Sequence, residues 1–570
     1  MHRLNTYKAL SNETYLCLTS VDPILEAFLL SQELSNNACD EPELQIEYEE
    51  MNIRVRAYAV DLLNECINSE ESKLLLNEQY GAQNVGEKIQ EHFTRVKIAR
   101  YLDQKEFIAH PITQRLLRIE WLGEWSTWVS LPTWKYLFCW SLKILVLPFI
   151  ILSYFLLPNI RLSRQLRSPV NKFVSHILSY AIFLAILFMH SEFSENSNLH
   201  GPPRTGLEYY IIVWVLGLTW LLLKTLVAQG SKKFFSLWWN WYDLINLIAF
   251  YSTFLFWGLS YRDLLKNNHS NLERKYWDSF DPTLIAEGNF AIAKVLAFGK
   301  LLNTFQINKY LGPLQVSLGR MAYDILVFLV VYFLLLLSFA TGLNHFYYYY
   351  QGMIKIEKGG LKKYQIPSFT TLVQTYKTLF WALFGMSPIE SADVVISNYD
   401  SEKNAIIDSV KDEHSYTQTV GYILFAVFHL IAIIIFLNIM IAMMSNSFQK
   451  VQDNADVEWK FARTAVWMSY FEDGRTLPPP INLLPSMKSI MKLCSGQMFR
   501  KKKGKGDNVF DEEYQKLITL IIDRYTRHKL KKDNSDSMKS SGKWINESSL
   551  YSTSTDGSYR NLTDTSYEHK

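Results

Sequence analysis

The sequence predicts an all-α membrane protein with six transmembrane helices. Three observations carry this reading. Nearly all the long apolar runs fall between residues 134 and 446, polar segments (1–130 and 450–570) flank them, and Lys and Arg gather in alternate links between the runs. Average composition alone decides nothing, because 49% hydrophobic content in 570 residues also fits a soluble enzyme. The segregation along the chain is what separates the two.

A bilayer core of about 30 Å takes roughly 20 apolar residues as helix, and backbone groups in lipid must be satisfied within the segment. Seven stretches qualify at least partly: Tyr136–Leu157, Phe173–His190, Leu207–Ala228, Leu244–Leu259, Leu284–Leu302, Ile325–Leu343 and Val420–Met444. The last is the most apolar, interrupted only by His429 and Asn438. Leu284–Leu302 is the weakest, since Glu287 and Lys294 lie within it. Basic residues then choose between six and seven. Arg161, Arg164, Arg167 and Lys172 precede Phe173, Lys232 and Lys233 follow Ala228, and Lys309 and Arg320 follow Leu302. All become cytoplasmic together if Phe173–His190 is the first span and both termini are inside. Tyr136–Leu157 is then a re-entrant or interfacial elbow, which Lys143, Pro148 and Pro158 make plausible. A true seventh span is the alternative.

Other classes are bounded quickly. A net charge of +3 gives no case for nucleic acid as a partner. Five cysteines are too few for a disulfide scaffold. Cys17, Cys39, Cys66 and Cys494 lie in the polar ends, as expected of a reducing cytosol. Met1–Ser20 lacks the apolar core and cleavage site of a signal peptide. No metal-spaced His/Cys set, nucleophile elbow or phosphate-binding glycine loop marks an enzyme, and no cofactor is expected. His110, before Pro111, reads as structural.

The 76-residue loop Asn344–Thr419 carries the candidate chemistry. Within it Ser368–Phe384 (SFTTLVQTYKTLFWALF) reads as a helix ending at Gly385. It is apolar and aromatic yet too short to cross and return. Such a half-inserted helix is tolerated where it lines a water-filled path. Four copies would aim their negative C-termini at one axis, and carbonyls around Phe384, Gly385 and Met386 would replace part of a cation's hydration shell. Glu390 and Asp393 follow and can form carboxylate rings at the mouth. Taken alone, the same pattern fits an amphipathic helix packed on an outer domain. Further on, Ile441, Ser445 and Gln449 share one face of the last span. An apolar ring above polar rings suits a dewetting gate, and ordinary helix packing gives the same spacing.

Two later stretches are amphipathic. In Glu458–Tyr470, Trp459, Ala462 and Val466 share a face with Phe461, Ala465 and Met468 beside it, while Lys460 and Arg463 point elsewhere. This helix either couples the last span to the first four or is simply the first cytosolic packing helix. In Tyr514–Lys532, apolar Leu517, Ile518, Leu520, Ile521 and Ile522 precede six basic side chains. A calmodulin target, a membrane-surface helix and a helix docked on the N-terminal region all fit.

Several of these residues match a known family. DVEWKFARTAVWMSYFEDG at Asp456–Gly474 and LPPP at Leu477–Pro480 resemble the TRP helix and proline box of transient receptor potential channels of the TRPC subfamily. The six residues of EWKFAR (Glu458, Trp459, Lys460, Phe461, Ala462, Arg463) are specific because they follow a last span directly. LFW at Leu379, Phe380 and Trp381, WDSFDPTLIAEG at Trp277–Gly288, LGPLQVSLGR at Leu311–Arg320 and GLNHFYYYY at Gly342–Tyr350 look similar too, and the likeness runs from about Arg3 to Asp533. The resemblance implies a tetramer, formed alone or with other TRPC subunits, in the plasma membrane. It implies permeation by calcium and sodium, and opening downstream of phospholipase C or by store depletion. Membrane lipids, calmodulin and the inositol trisphosphate receptor are the partners it implies, the last two at Tyr514–Lys532. Asn5–Glu78 would be the helical linker that follows ankyrin repeats in the family, with Ser20–Ser35 its nearest match.

Four departures qualify this. No ankyrin repeat precedes the linker, so we expect a truncated chain or a protein that dispenses with the module. Several relatives bind calcium between the second and third spans, but here Asn240 and Asp243 are present while Leu222 and Thr225 stand at the second-span positions where a carboxylate and a second polar side chain are wanted, which predicts a degenerate site without tight binding. Met353–Pro367 has no cysteine for the outer disulfide of close relatives, and Pro388 stands where they carry polar or acidic residues. The fourth span offers only Lys294 and Lys300, too few charges for steep voltage gating. A non-conducting regulatory subunit is the remaining alternative. Asn268-His269-Ser270 is a sequon in an expected outer loop, and 534–570 reads as a disordered tail.

Overall fold

A computed structural model describes residues 2–77, 93–123, 168–194, 200–267, 273–356, 362–400, 405–406, 414–471, 477–483 and 512–532, with isolated positions from 132 to 149. Apart from those isolated positions, the expected elbow Tyr136–Leu157 lies outside the described residues, as do the sequon at Asn268 and the tail from Asn534.

The architecture is all-α. Helices α1 (His2–Leu10), α2 (Glu13–Thr19), α3 (Pro23–Asp40), α4 (Gln45–Asn64), α5 (Ser69–Asn77), α6 (Thr94–Tyr101), α7 (Lys105–Ala109) and α8 (Pro111–Leu122) open the chain. Then come α9 (Pro169–Ser194), α10 (Leu207–Gln229), α11 (Ser231–Ser236), α12 (Trp238–Asn267) and α13 (Pro282–Gly299). Next follow α14 (Leu311–Tyr347), α15 (Leu372–Ala382) and α16 (Ser415–Asp453). Two more, α17 (Ala455–Phe471) and α18 (512–532), close the described chain. Among the described residues, strands are confined to two hairpins before α16: β1 (Ile354–Ile356) with β2 (Lys362–Tyr364), and β3 (Tyr399–Asp400) with β4 (Ala405–Ile406). Two compact units result, 1–299 with 463–570, and 300–462.

In the first unit, local signals start the helices. Asp22 caps α3 by accepting from the Leu25 N–H at 3.1 Å, with Pro23 at the first helical position. The α3 face carrying Ile24, Phe28 and Leu34 is buried against Tyr48, Val55 and Leu62 of α4. Each such side chain contributes about 1.5–3 kcal/mol relative to exposure. His110 proves structural, as its Nε2 meets Asn64 Oδ1 at 2.7 Å where α8 begins.

Helix α18 docks on this layer, which selects one of the three readings of its sequence. Tyr514, Ile518 and Ile521 are buried. Arg524 pairs with Glu71 at 3.0 Å, and Tyr525 donates to Glu13 at 2.6 Å.

Six described helices are long and apolar enough to cross a membrane: Pro169–Phe193, Leu207–Val227, Trp238–Lys266, Pro282–Ile307, Leu311–Tyr350 and Ser415–Asp453. Only 17–33% of each apolar window is buried, so most of that surface is left for lipid or neighbouring copies. The weakest span is helical because its charges have partners. Asp281 accepts from the Thr283 N–H at 2.8 Å with Pro282 next in line, Glu287 pairs with Arg274 at 2.6 Å, and Lys294 donates to Ser191 at 2.7 Å.

The second unit is built on a stripe along α14. Phe328, Tyr332, Leu336, Ala340, Leu343 and Tyr347 recur every three or four residues and are buried with Phe369, Leu379, Ala382, Phe425 and Phe428. Close approach requires Gly421, because a Cβ there would collide with the Tyr347 hydroxyl.

Candidate pore and gate

Thr371 caps α15 through its hydroxyl and the Gln374 N–H, and Thr375, Leu379 and Ala382 turn inward. Phe380, Trp381, Phe384 and Met386 remain exposed. The expected helix Ser368–Phe384 is therefore regular from Leu372 to Ala382 and closes in a glycine cap. Gly385 has φ +72°, its N–H donates to the Ala382 carbonyl at 3.0 Å, and the Met386 N–H donates to the Trp381 carbonyl at 3.1 Å. That pair of bonds is a Schellman cap, which only a residue tolerant of left-handed backbone closes cheaply. It uses up the carbonyls of Trp381 and Ala382. Those of Phe384, Gly385 and Met386 accept no hydrogen bond among the described residues. Such carbonyls must find water or an ion.

The chain then returns through Ser387, whose hydroxyl donates to the Thr378 carbonyl at 2.8 Å. Two side chains pin the return with three bonds. Tyr347 donates to the Ala392 carbonyl at 2.7 Å, Gln365 donates to the Asp393 carbonyl at 2.9 Å, and its Oε1 accepts from the Val395 N–H at 2.7 Å. The two carboxylates expected at the mouth have different surroundings. Glu390 is exposed on a short 3₁₀ turn. Asp393 accepts from the Tyr422 hydroxyl and lies 3.6 Å from Lys363 Nζ. Nothing in the local sequence marks this split, because Lys363 and Tyr422 are about thirty residues away on either side.

In α16 the segment Leu430–Leu437 is a π-helix, and Asn438 Nδ2 donates to the Ile434 carbonyl at 2.7 Å just beyond it. Sequence reasoning missed this, as an unbroken apolar run shows no signal for an inserted residue. Ile441, Ser445 and Gln449 are exposed in the following α-helical part, with Gln449 donating to Asp453 at 2.9 Å.

Helix α17 differs from expectation in its buried face. Burial picks out Trp459, Thr464, Trp467 and Met468, while Ala462 and Val466 are only partly covered. Within the second unit, Trp459 Nε1 donates to the Gln306 carbonyl at 3.1 Å and Glu458 pairs with Arg320 at 2.7 Å. Within the other unit, Arg463 does not point away. It donates to Gln114 at 2.5 Å and lies 4.3 Å from the Trp467 ring centre, a cation–π contact. Trp467 stacks on Trp121 at 5.5 Å, and Lys172 Nζ donates to the Tyr470 carbonyl at 3.1 Å.

Where a degenerate calcium site is expected, the Asn240 amide donates to the Phe234 carbonyl at 2.8 Å, and the Thr225 hydroxyl donates to the Leu221 carbonyl at 2.9 Å. Thr225 thus bonds within α10, and Asn240 ties the start of α12 to α11.

Six spans with a capped half-helix before the last define an integral membrane protein of the ion-transport class. Two family models agree, Ion transport protein over residues 171–456 and Transient receptor ion channel II over residues 1–45. The chain is 36% identical over 545 residues to short transient receptor potential channel 4 of Mus musculus, covering 92% of this chain and 54% of the relative. The Homo sapiens counterpart gives 36% over the same length, covering 92% of this chain and 53% of the relative. A transient-receptor-potential-like protein of Caenorhabditis elegans gives 34% over 511 residues, covering 86% and 48%. This chain belongs to the TRPC subfamily of transient receptor potential channels, a family of ion channels rather than enzymes. It spans about half the length of each of these relatives.

Proposed function

We propose that this chain is a subunit of a tetrameric, calcium- and sodium-permeable cation channel, formed alone or with other TRPC subunits. We place it in the plasma membrane with both polar ends in the cytosol. Opening would follow receptor activation of phospholipase C, or store depletion. The observation that carries the reading is the set of three unpaired carbonyls at Phe384, Gly385 and Met386, beyond a helix too short to span. Glu390 is the mouth carboxylate that concentrates cations, and Ile441, Ser445 and Gln449 line the inner end. Asp393, held by Tyr422, braces the return segment instead.

Calmodulin and the inositol trisphosphate receptor are expected at α18 only once it leaves its dock, because Ile518 and Ile521 are buried there.

The test is patch-clamp of the chain expressed alone, with and without receptor stimulation, comparing wild type with Glu390→Gln. Reduced divalent permeation or altered cation block is the expected outcome. Unchanged permeation removes Glu390 from the ion path. Current seen only alongside another TRPC chain turns the reading to a regulatory subunit.

A further inference from the structure

We propose that His190 is a binding site for a proton from the outer solution, read by all four helices of the first bundle. Its ring is 2% exposed near the end of α9, and every helix of the bundle reaches it. From α10 comes Glu208, also buried, with Oε1 3.4 Å from His190 Nε2. From α12 comes the Trp257 indole, nearly parallel with ring centres 6.4 Å apart. From α13 comes Phe290, edge-on at 5.0 Å, with Lys294 Nζ 4.3 Å from the Phe290 ring centre and bonded to Ser191 of α9. Glu208 and Lys294 are thus the charged groups that face the ring, one of each sign, and Glu192 beside it on α9 is exposed.

Neither nitrogen of His190 has a hydrogen-bond partner among the described residues. A neutral imidazole carries one donor and one acceptor, and buried polar atoms are usually matched. The protonated ring has a counter-ion already placed. Glu208 is fixed by the N–H and hydroxyl of Thr205, which donate to the same Oε1 at 3.1 and 2.7 Å. A proton on His190 draws Glu208 in and repels Lys294, so it acts with opposite sign on α10 and α13. Histidine is the side chain suited to this between pH 5 and 8.

The inference rests on the conducting, cytosol-ended orientation proposed above, and its test has an arm independent of both. Histidine-labelled protein in nanodiscs is titrated by NMR, the His190 resonance being the one lost in His190→Gln. That resonance should titrate between about pH 5 and 8, with its midpoint displaced by roughly one unit in Glu208→Gln. A resonance that does not titrate, or one indifferent to Glu208→Gln, overturns the site. In outside-out patches, acidifying the bath from about pH 7.5 to 5.5 should change open probability roughly three- to tenfold. His190→Gln should abolish that component and Glu390→Gln should retain it. An identical response in His190→Gln overturns the link to gating. With the titration intact, acid effective only from the other face refutes the orientation, and absence of current refutes conduction, while the site stands.

Discussion

The Tyr514 hydroxyl donates to Asp22 Oδ1 at 2.9 Å, and the same carboxylate is gripped twice by Arg95 at 2.8 and 2.6 Å. All three side chains are buried. A buried ion pair contributes little by itself, but removing one member strands the other charge. Asp22→Asn is expected to cost about 3–5 kcal/mol, against about 1.5–3 kcal/mol for Tyr514→Phe, which loses one bond to a charged group. Hydrogen exchange should show α18 opening in both variants, and the α3–α4 layer opening in Asp22→Asn alone.

The dock is expected to be acid-sensitive. The Arg524 guanidinium, hydrogen-bonded to Glu71, holds that carboxyl below its ordinary 4.5, and the Ile67 N–H adds to this against partial burial. Burial works against Glu13 too, but bonds from Lys529 and Tyr525 outweigh it and lower that carboxyl as well. A carboxyl with a depressed folded-state pKa stabilises fully above its unfolded value. That contribution is lost as pH falls through the folded one. Exchange protection of α18 should therefore hold from neutral pH down to about 5 and fall below about 4. In Glu71→Gln it should be weaker at neutral pH and flatter with acid.

The cysteines should react unequally. Cys66 is buried and burial pushes its thiol up to about 11, whereas Cys39 is exposed. The thiolate is the reactive form. Brief alkylation of the folded protein at about pH 7.5, read by mass spectrometry, should modify Cys39 at least about tenfold faster than Cys66. Equal rates would mean that the α4–α5 junction opens readily.

Gly421 and Tyr347 form a close contact whose cost is measurable. Gly421→Ala drives a methyl into the Tyr347 hydroxyl, which also holds the Ala392 carbonyl. Overpacking of this kind costs about 1–3 kcal/mol. Tyr347→Phe removes the colliding oxygen along with its bond, so the double variant should lose less than the sum of the two singles. Thermal unfolding of the detergent-solubilised protein gives that coupling, and strict additivity would place the two residues out of contact.

Much of the fold is legible in particular residues. Pro169–Ser194, Leu207–Gln229 and Ser415–Asp453 follow from apolar length, and Asp281-Pro282 announces the start of a span that hydropathy alone would pass over. The Gly385 turn was readable because glycine is the residue that takes φ +72° at the end of a helix. The buried face of α17 was not readable. Periodicity grouped Trp459 with Ala462 and Val466, but the groups it meets, Gln306, Gln114 and Trp121, lie more than 150 residues earlier. They draw Arg463 onto the covered side.

By itself the sequence predicted six spans, with Tyr136–Leu157 as the alternative seventh, the short helix before the last of them and membership of a channel family. Apolar length, capping residues and a motif after the last span act within a few turns of helix. Tertiary structure alone decided that Asp393 is held by Tyr422, that α16 contains a π-helical segment, that α18 is docked, and that His190 sits between Glu208 and Lys294. The physical reason is range. Burial and charge pairing depend on which distant side chains arrive together, and no window along the chain contains both partners.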